Sequence, residues 1–393
     1  MKIMQGFIPY GKQTINNDDI NAVSKALKNN FLTTGPGVKL FEKEFSKKVK
    51  SKYSVSSNSG TSAIILALKA INLKKNDVVV LPSINFIAAA NISKIMGAKI
   101  VFSDVDKNSG QMTPQKFEQC VKKNKLKKIK VFFTMHNSGF NNYAKEFFKL
   151  KKRYNCYLIE DACHALGAKN SNLKNDFVGN CKYSDLTTFS FHPLKTITTC
   201  EGGMTTTRDK NFYKKMIEAR NHGFAIKKSK KKNFYNWKHK LNSYGYNLRL
   251  NDIQSYLGLN QLKRLNSFVK RRNIISKLYL KKLKVLENYV ILPKQNKYLS
   301  AWHLFIILFK KETLKVNRDK IIQILYKSKI FTQVHYIPNY RQIPFKTNKS
   351  NFKDAEYYYS QCLSIPIYPE LKTRQINHIV NTIKKTIEKY KRN

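Results

Sequence analysis

Lys195 sits at the end of the run Ser190-Phe191-His192-Pro193-Leu194-Lys195, and Glu201-Gly202-Gly203 follows it. A lysine just past a β-rich segment (186–191) and just before a glycine turn is placed to form a Schiff base with an aldehyde cofactor. The chain carries 74 Lys+Arg, so any single lysine is ordinarily a solvated surface charge. Here Phe189, Phe191, Pro193 and Leu194 make the neighbourhood apolar. Desolvation penalises the charged amine and lowers its pKa. A partly neutral amine is the nucleophile that such a condensation needs.

Pyridoxal 5'-phosphate (PLP) is an aldehyde cofactor with four further requirements. Its phosphate needs backbone N–H groups and hydroxyls at a helix start, and Ser59-Gly60-Thr61-Ser62 supplies them. Its pyridine nitrogen needs a carboxylate to keep the ring an electron sink. Asp161, after the apolar Tyr157-Leu158-Ile159, can provide it. Its ring face wants an aromatic cover, for which Phe86 is a candidate. His164, three residues after Asp161, can hydrogen-bond the phenolic oxygen. Each also has a plainer reading, as a helix cap, a turn aspartate, a core phenylalanine and a structural histidine. Their order and spacing together with Lys195 favour the cofactor.

These residues need elements to hold them. Asp18 or Asp19 can cap a helix whose Ile20, Val23 and Leu27 fall on one face. Ser59-Gly60-Thr61 opens a helix that runs through Leu68. The spacing predicts strands at 78–81, 100–102, 129–135, 157–160, 187–191 and 204–207, with helices at 88–96 and 143–153 among them. Strands alternating with helices imply an α/β fold with a mainly parallel sheet covered on both faces. In such sheets ligands gather at the carboxyl ends of strands. The segment 83–86, Asp161 and the segment 190–195 all fall there. A long helix is expected from Ile253 toward Leu283, then strands at 304–309 and 332–335 and helices at 319–326 and 375–390. This divides the chain into a large domain (1–252) and a smaller C-terminal α/β domain (253–393). The basic stretch 227–240 reads as an exposed loop.

Composition bounds the rest. At 393 residues, 42% hydrophobic and 12% aromatic, the chain is globular and long enough for two domains. It has no apolar run of about 18 residues; the longest candidate, 301–309, is interrupted by His303. The first residues lack a signal-peptide pattern. The six cysteines form no CxxC pair. A reduced, cytoplasmic protein is expected, without bound metal or membrane insertion. The formal charge of +50 raises nucleic-acid binding. The lysines are spread along a chain that is also rich in Asn, Ile and Tyr, as AT-rich coding produces, and no nucleic-acid-binding motif accompanies them. Such a charge still attracts anionic substrates. Only 15 glycines occur, so the pair Gly202-Gly203 marks a special backbone position.

With these residues in place, the chain resembles the DegT/DnrJ/EryC1/StrS family of PLP-dependent sugar aminotransferases, which have the type I, aspartate aminotransferase-like fold. The likeness spans nearly the full length. It rests on Ile8-Pro9-Tyr10-Gly11-Lys12, Leu32-Thr33-Thr34-Gly35-Pro36, Asn58 through Ala63, Asp161 through Gly167, Ser190 through Lys195, Arg220 through Gly223, Tyr246 through Asn251, and Gln333-Val334-His335-Tyr336. His164, the run from Ser190 to Gly203 and the Gln333–Tyr336 segment are most similar to the branch that acts in pseudaminic acid synthesis.

The resemblance implies roles. Lys195 holds PLP and shuttles the proton. Asp161 pairs with the pyridine nitrogen, and Gly60, Thr61 and Ser190 bind the phosphate. Asn247 reaches the phosphate from a neighbouring subunit, which makes the active unit a homodimer. Tyr10, Asn30, Phe31, Leu32, Thr33, Arg249, His335 and Tyr336 match positions near the nucleotide-sugar. The implied partners are L-glutamate as amino donor and a UDP-linked 4-keto-6-deoxy-N-acetylhexosamine as acceptor. The segment Met135-His136-Asn137-Ser138-Gly139 departs from relatives, which usually carry an acidic or aromatic residue before the glycine; that bears on sugar specificity. Three other readings stand beside this one: an aminotransferase for another nucleotide 4-keto or 3-keto sugar, a family dehydratase (against which Lys195 argues), and a non-catalytic basic binding protein on the same fold.

Overall fold

A computed structural model describes residues 6–225, 240–294 and 298–392. The strands of the larger sheet are β1 (Tyr53–Ser57), β2 (Val78–Pro82), β3 (Lys99–Ser103), β4 (Val131–Met135), β5 (Tyr157–Asp161), β6 (Leu186–Ser190) and β7 (Gly203–Thr207). A smaller sheet holds β8 (Val290–Ile291), β9 (Phe305–Phe309) and β10 (Cys362–Ile365). The helices are α1 (Asn17–Leu27), α2 (Pro36–Val49), α3 (Gly60–Ala70), α4 (Ala88–Ile95), α5 (Pro114–Lys123), α6 (Ala144–Arg153), α7 (Lys210–Arg220), α8 (Asp252–Leu283), α9 (Arg318–Lys327), α10 (Lys353–Gln361) and α11 (Thr373–Tyr390).

The larger sheet has the order β1-β7-β6-β5-β4-β2-β3. All neighbours pair in parallel except β7, which is antiparallel to both β1 and β6. Strands β1 to β6 therefore all end at one edge, and β7 begins there. Successive residues face opposite layers. Val79, Leu81, Val131, Phe133 and Ile159 pack with α3, α4 and α7, whereas Val80, Phe132 and Leu158 pack with Phe117 of α5 and Phe147 and Leu150 of α6. Both faces are covered, which is why these strands read as unbroken apolar runs.

A second core gathers around β9 and β10, with α9, α11 and the last turns of α8 (Ile275, Tyr279, Leu283). Ile8 pairs with Ile330 and joins this core, so the N-terminal segment packs with the C-terminal part of the chain. The first half of α8 belongs elsewhere: Leu262, Leu265, Phe268 and Val269 pack with Phe41 and Phe45 of α2 and Phe189 and Phe191.

Two expectations need correction. The cap of α1 is Asn16, whose side chain accepts from the Asp19 N–H while Asp19 returns the bond, a reciprocal capping box. The face carrying Ile20 and Leu27 is turned outward, at 55% and 56% exposed. The helix instead buries Asp19, whose carboxylate takes bonds from Asn260, Gln261 and Arg264 of α8 at 2.7–2.9 Å. Polar pairing, not the apolar stripe, chose the inward face. Second, 332–335 is not a strand. Gln333 makes one isolated bridge to Ser364, and the chain then turns inward at His335 and Tyr336 toward Pro338, which has no N–H to donate. The expected loop at 227–240 lies, up to His239, outside the described residues.

Candidate active site

A cavity of about 340 Å³ opens where the parallel strands end. Asp161 is the last residue of β5 and Ser190 the last of β6; Lys195 follows on the loop after β6. Ser59, Gly60 and Thr61 enter from the start of α3, and Phe86 from the loop after β2. Tyr10, His303, His335 and Tyr336 close the cavity from the side of the smaller sheet. Ten residues singled out from sequence line it together: Tyr10, Gly60, Thr61, Phe86, Asp161, His164, Ser190, Lys195, His335 and Tyr336.

Six others do not. Asn30, Phe31, Leu32 and Thr33 follow α1 on the outer surface, where Phe31 is 59% exposed. Asn247 is exposed and bridges Asn221, and Arg249 Nη1 donates to Asn221 Oδ1 at 2.5 Å. None of the six lines the cavity of a single chain.

At one end, the α3 N-terminus points its first N–H groups into the cavity. Ser59 is the cap, its Oγ accepting from Ser62 N–H at 3.1 Å. A helix start without intrahelical acceptors for Gly60 and Thr61 is an anion site. Gly60 is required by close approach: a Cβ there would lie 2.8 Å from Ser190 Cβ and 3.1 Å from its Oγ. Gly203 has the same reason, since a Cβ would stand 2.3 Å from the Ser59 carbonyl oxygen.

At the other end lies Lys195. Burial pushes its amine below the ordinary lysine value, and nearby Cys163 and Asp161 pull partly the other way. Asp161 is buried, and its Oδ1 accepts from Cys163 N–H at 3.1 Å. His164 Nε2 lies 2.9 Å from the Tyr336 hydroxyl. Burial, then the charge of Lys195, hold His164 and His303 well below the usual histidine range. Burial pushes Tyr336 well above the usual phenol value. Neutral imidazoles and a protonated phenol therefore line this wall. The His164 and His303 rings stand 4.3 Å apart, and Phe86 meets the Tyr336 ring edge-on at 6.1 Å.

His303 was overlooked as a site residue. The signal that could have found it was a lone histidine inside the apolar run 301–309, which a core strand has no reason to carry. Cys163, His192 and Glu201 also line the cavity. Of the divergent segment 135–139, only Met135 does so. The rest is a strap: Ser138 O accepts from His303 N–H at 3.0 Å and Gly139 O from Ala301 N–H at 3.2 Å. It holds the wall that carries His303 and makes no contact with the cavity itself.

The DegT/DnrJ/EryC1/StrS aminotransferase family model matches residues 13–384. The chain belongs to this family. It is therefore a sugar aminotransferase that uses PLP, with the type I architecture seen in its solved relatives. The UDP-4-amino-4,6-dideoxy-N-acetyl-beta-L-altrosamine transaminase of Campylobacter jejuni subsp. jejuni serotype O:23/36 (strain 81-176) is 33% identical over 387 residues, covering 98% of this chain and 99% of that one. PseC of Helicobacter pylori, an aminotransferase of pseudaminic acid biosynthesis, superposes with a TM-score of 0.88 at 28% identity, over 98% of this chain and 100% of that one. Spr1654 of Streptococcus pneumoniae in its PLP form gives 0.87 at 25% identity, over 98% and 99%.

The residues of this family member fit PLP. The glycine cradle leaves space for a phosphate where a Cβ would otherwise stand, and a desolvated amine and a buried carboxylate share one cavity with it. Among the described residues no cluster of His, Cys, Asp or Glu suits a metal, and no helix is long and apolar enough to cross a membrane.

Proposed function

We propose that this aminotransferase moves an amino group from L-glutamate to C4 of a UDP-linked 4-keto-6-deoxy-N-acetylhexosamine. The product is UDP-4-amino-4,6-dideoxy-N-acetyl-β-L-altrosamine, on the route to pseudaminic acid. One observation carries the chemistry: the depressed amine of Lys195 and the buried carboxylate of Asp161 share a cavity with a helix N-terminus. The full-length likeness to the Campylobacter transaminase supports the choice of sugar.

In this reading Gly60, Thr61 and Ser190 hold the phosphate and Asp161 the pyridine nitrogen. When bound, PLP supplies a ring that stabilises the negative charge left on carbon as a proton departs. Lys195 Nζ takes that proton and returns it to the carbon two atoms away, as base and then acid. Its apolar setting provides the neutral amine this requires. His164, neutral and fixed against Tyr336, is the hydrogen-bonding group beside the phenolic oxygen. Phe86 covers the ring and helps exclude water. Tyr10, His335 and Tyr336 face the sugar.

The active unit in this proposal is a homodimer. Ile20, Leu27, Phe31 and Leu32 lie on and just after α1, 47–59% exposed, and an apolar surface of this kind marks an interface. A partner across it would bring Asn30–Thr33, Asn247 and Arg249 to the cavity that a single chain leaves without them.

The test is spectroscopic. Protein loaded with PLP should show a visible absorption band that L-glutamate bleaches and that UDP-4-keto sugar restores, while Lys195→Ala shows no such cycle. Bleaching by glutamate without recovery on this sugar, but with recovery on another nucleotide keto sugar, would move the proposal to that substrate. An unchanged band in Lys195→Ala would end it.

A further inference from the structure

Tyr336 and His335 enter the cavity on a segment with almost no regular structure. Behind it, outside the cavity, stands Tyr358 of α10. This tyrosine is fully buried. Its O–H donates to the His335 carbonyl at 3.0 Å. The same oxygen accepts from Asn137 Nδ2 at 3.1 Å. The backbone of Gly110 lies flat on the ring, so close that a Cβ would stand 2.5 Å from Cζ. Asn137 is itself held: its Nδ2 reaches Ser109 O at 3.2 Å, and its carbonyl accepts from Gln111 Nε2 at 2.9 Å. On the other side, His335 Nδ1 lies 2.7 Å from Ser364 Oγ, and Gln333 pairs with the Ser364 backbone. The segment is thus clamped between β10 and Tyr358, and the next residue places its hydroxyl on His164 Nε2 at 2.9 Å.

We propose that Tyr358, held by Asn137, is a positioning residue that aims Tyr336 at His164 and so selects which ring nitrogen of His164 carries its proton. A neutral imidazole has one N–H, and its partner decides where the proton sits. Toward a neutral imidazole a phenol is a better donor than acceptor, so the Tyr336 O–H donates to Nε2 and leaves the proton on Nδ1. Moving the phenol away frees the ring to adopt the other tautomer or to turn. The divergent segment 135–139 thereby gains a function, since Asn137 acts on the site through two tyrosines without touching it. The consequence for turnover rests on the PLP reading above; the tautomer itself does not.

The experiment uses the full chain without cofactor, labelled with ¹⁵N-histidine, with the His164 signals assigned by His164→Gln. Tyr358→Phe removes only the hydroxyl and keeps the ring under Gly110. It should move the His164 nitrogen shifts while leaving the distant His222 and His378 in place. Tyr336→Phe should move them likewise. The double variant should match Tyr336→Phe alone, because one residue acts through the other. Asn137→Ala should repeat the Tyr358→Phe effect in part, and serves if Tyr358→Phe fails to fold. In PLP-loaded enzyme, Tyr358→Phe should lower kcat roughly 10- to 100-fold. Unchanged His164 signals in Tyr358→Phe or Asn137→Ala, or additive effects in the double variant, would overturn the proposal. Because this readout needs no cofactor, failure here is distinct from failure of the Lys195 spectrum.

Discussion

At the scale of the residue, burial, ahead of the charged neighbours, decides the chemistry of this cavity. His335 shows it most directly: burial, then Lys195, push its imidazole down to about 3. An unfolded histidine takes its proton near about 6.5. Between these values the unfolded chain binds more protons than the folded one. Stability is therefore full above about 6.5 and is lost as pH falls through this window toward 3. Urea midpoints measured at pH 7 and pH 5 should drop more for the wild type than for His335→Gln. For Lys195 the depressed amine predicts that turnover rises with pH through a pKa below that of an ordinary lysine, measured as kcat against pH, because the amine is free to act as a base only after substrate has displaced it.

The residues legible in sequence were those beside strong local signals. Asp161 ends an apolar strand and Gly60 opens a helix, so each could be placed without knowing the rest. Asn137 and Tyr358 could not. They are 221 positions apart, and neither has a neighbour that announces the other. Asn247 and Arg249 were legible only through resemblance, and in one chain neither lines the cavity, Asn247 being exposed and Arg249 half-buried.

At the scale of the element, strands inside the sheet were readable where both faces are covered, because their leading residues are then apolar on both sides: 78–81, 131–133 and 157–159. β1 was not: Tyr53–Ser57 carries three serines, and its strand form depends on pairing with β7. α5 and α7 were missed for a related reason, as their exposed faces dilute the apolar period with lysines. In α1 the period itself misled, since Asp19 rather than Ile20 faces α8. Asp19→Ala should cost about 3 kcal/mol, because it strands Arg264 and two amides beside a cavity. Equilibrium urea unfolding would measure it. Ile20→Ala, on the outward face, should leave the stability of an isolated chain within about 0.5 kcal/mol.

At the scale of the whole molecule, the outward apolar face of α1 and the expected site residues left outside the cavity both bear on the proposed homodimer. If two copies share each cavity, Lys195→Ala and Asn247→Ala proteins, each impaired alone, should recover activity when unfolded and refolded together. Random pairing would give about a quarter of the wild-type value, since one site in each mixed dimer is intact. No recovery would show that each chain works alone. Ile20→Lys combined with Leu27→Lys should shift sedimentation toward the monomer. The +50 charge adds a dependence on salt: kcat/KM for an anionic nucleotide-sugar should fall as ionic strength rises.

The 32 residues of α8 form a rod about 48 Å long that begins beneath the larger sheet and finishes inside the other core. Anyone grafting the C-terminal region of a relative onto this chain meets that rod first. A splice at 252/253 imports a foreign first half that must match α1 and α2, Asp19 included. A splice near Arg272, after the last α2-facing turn, would leave each half with the neighbours it evolved beside.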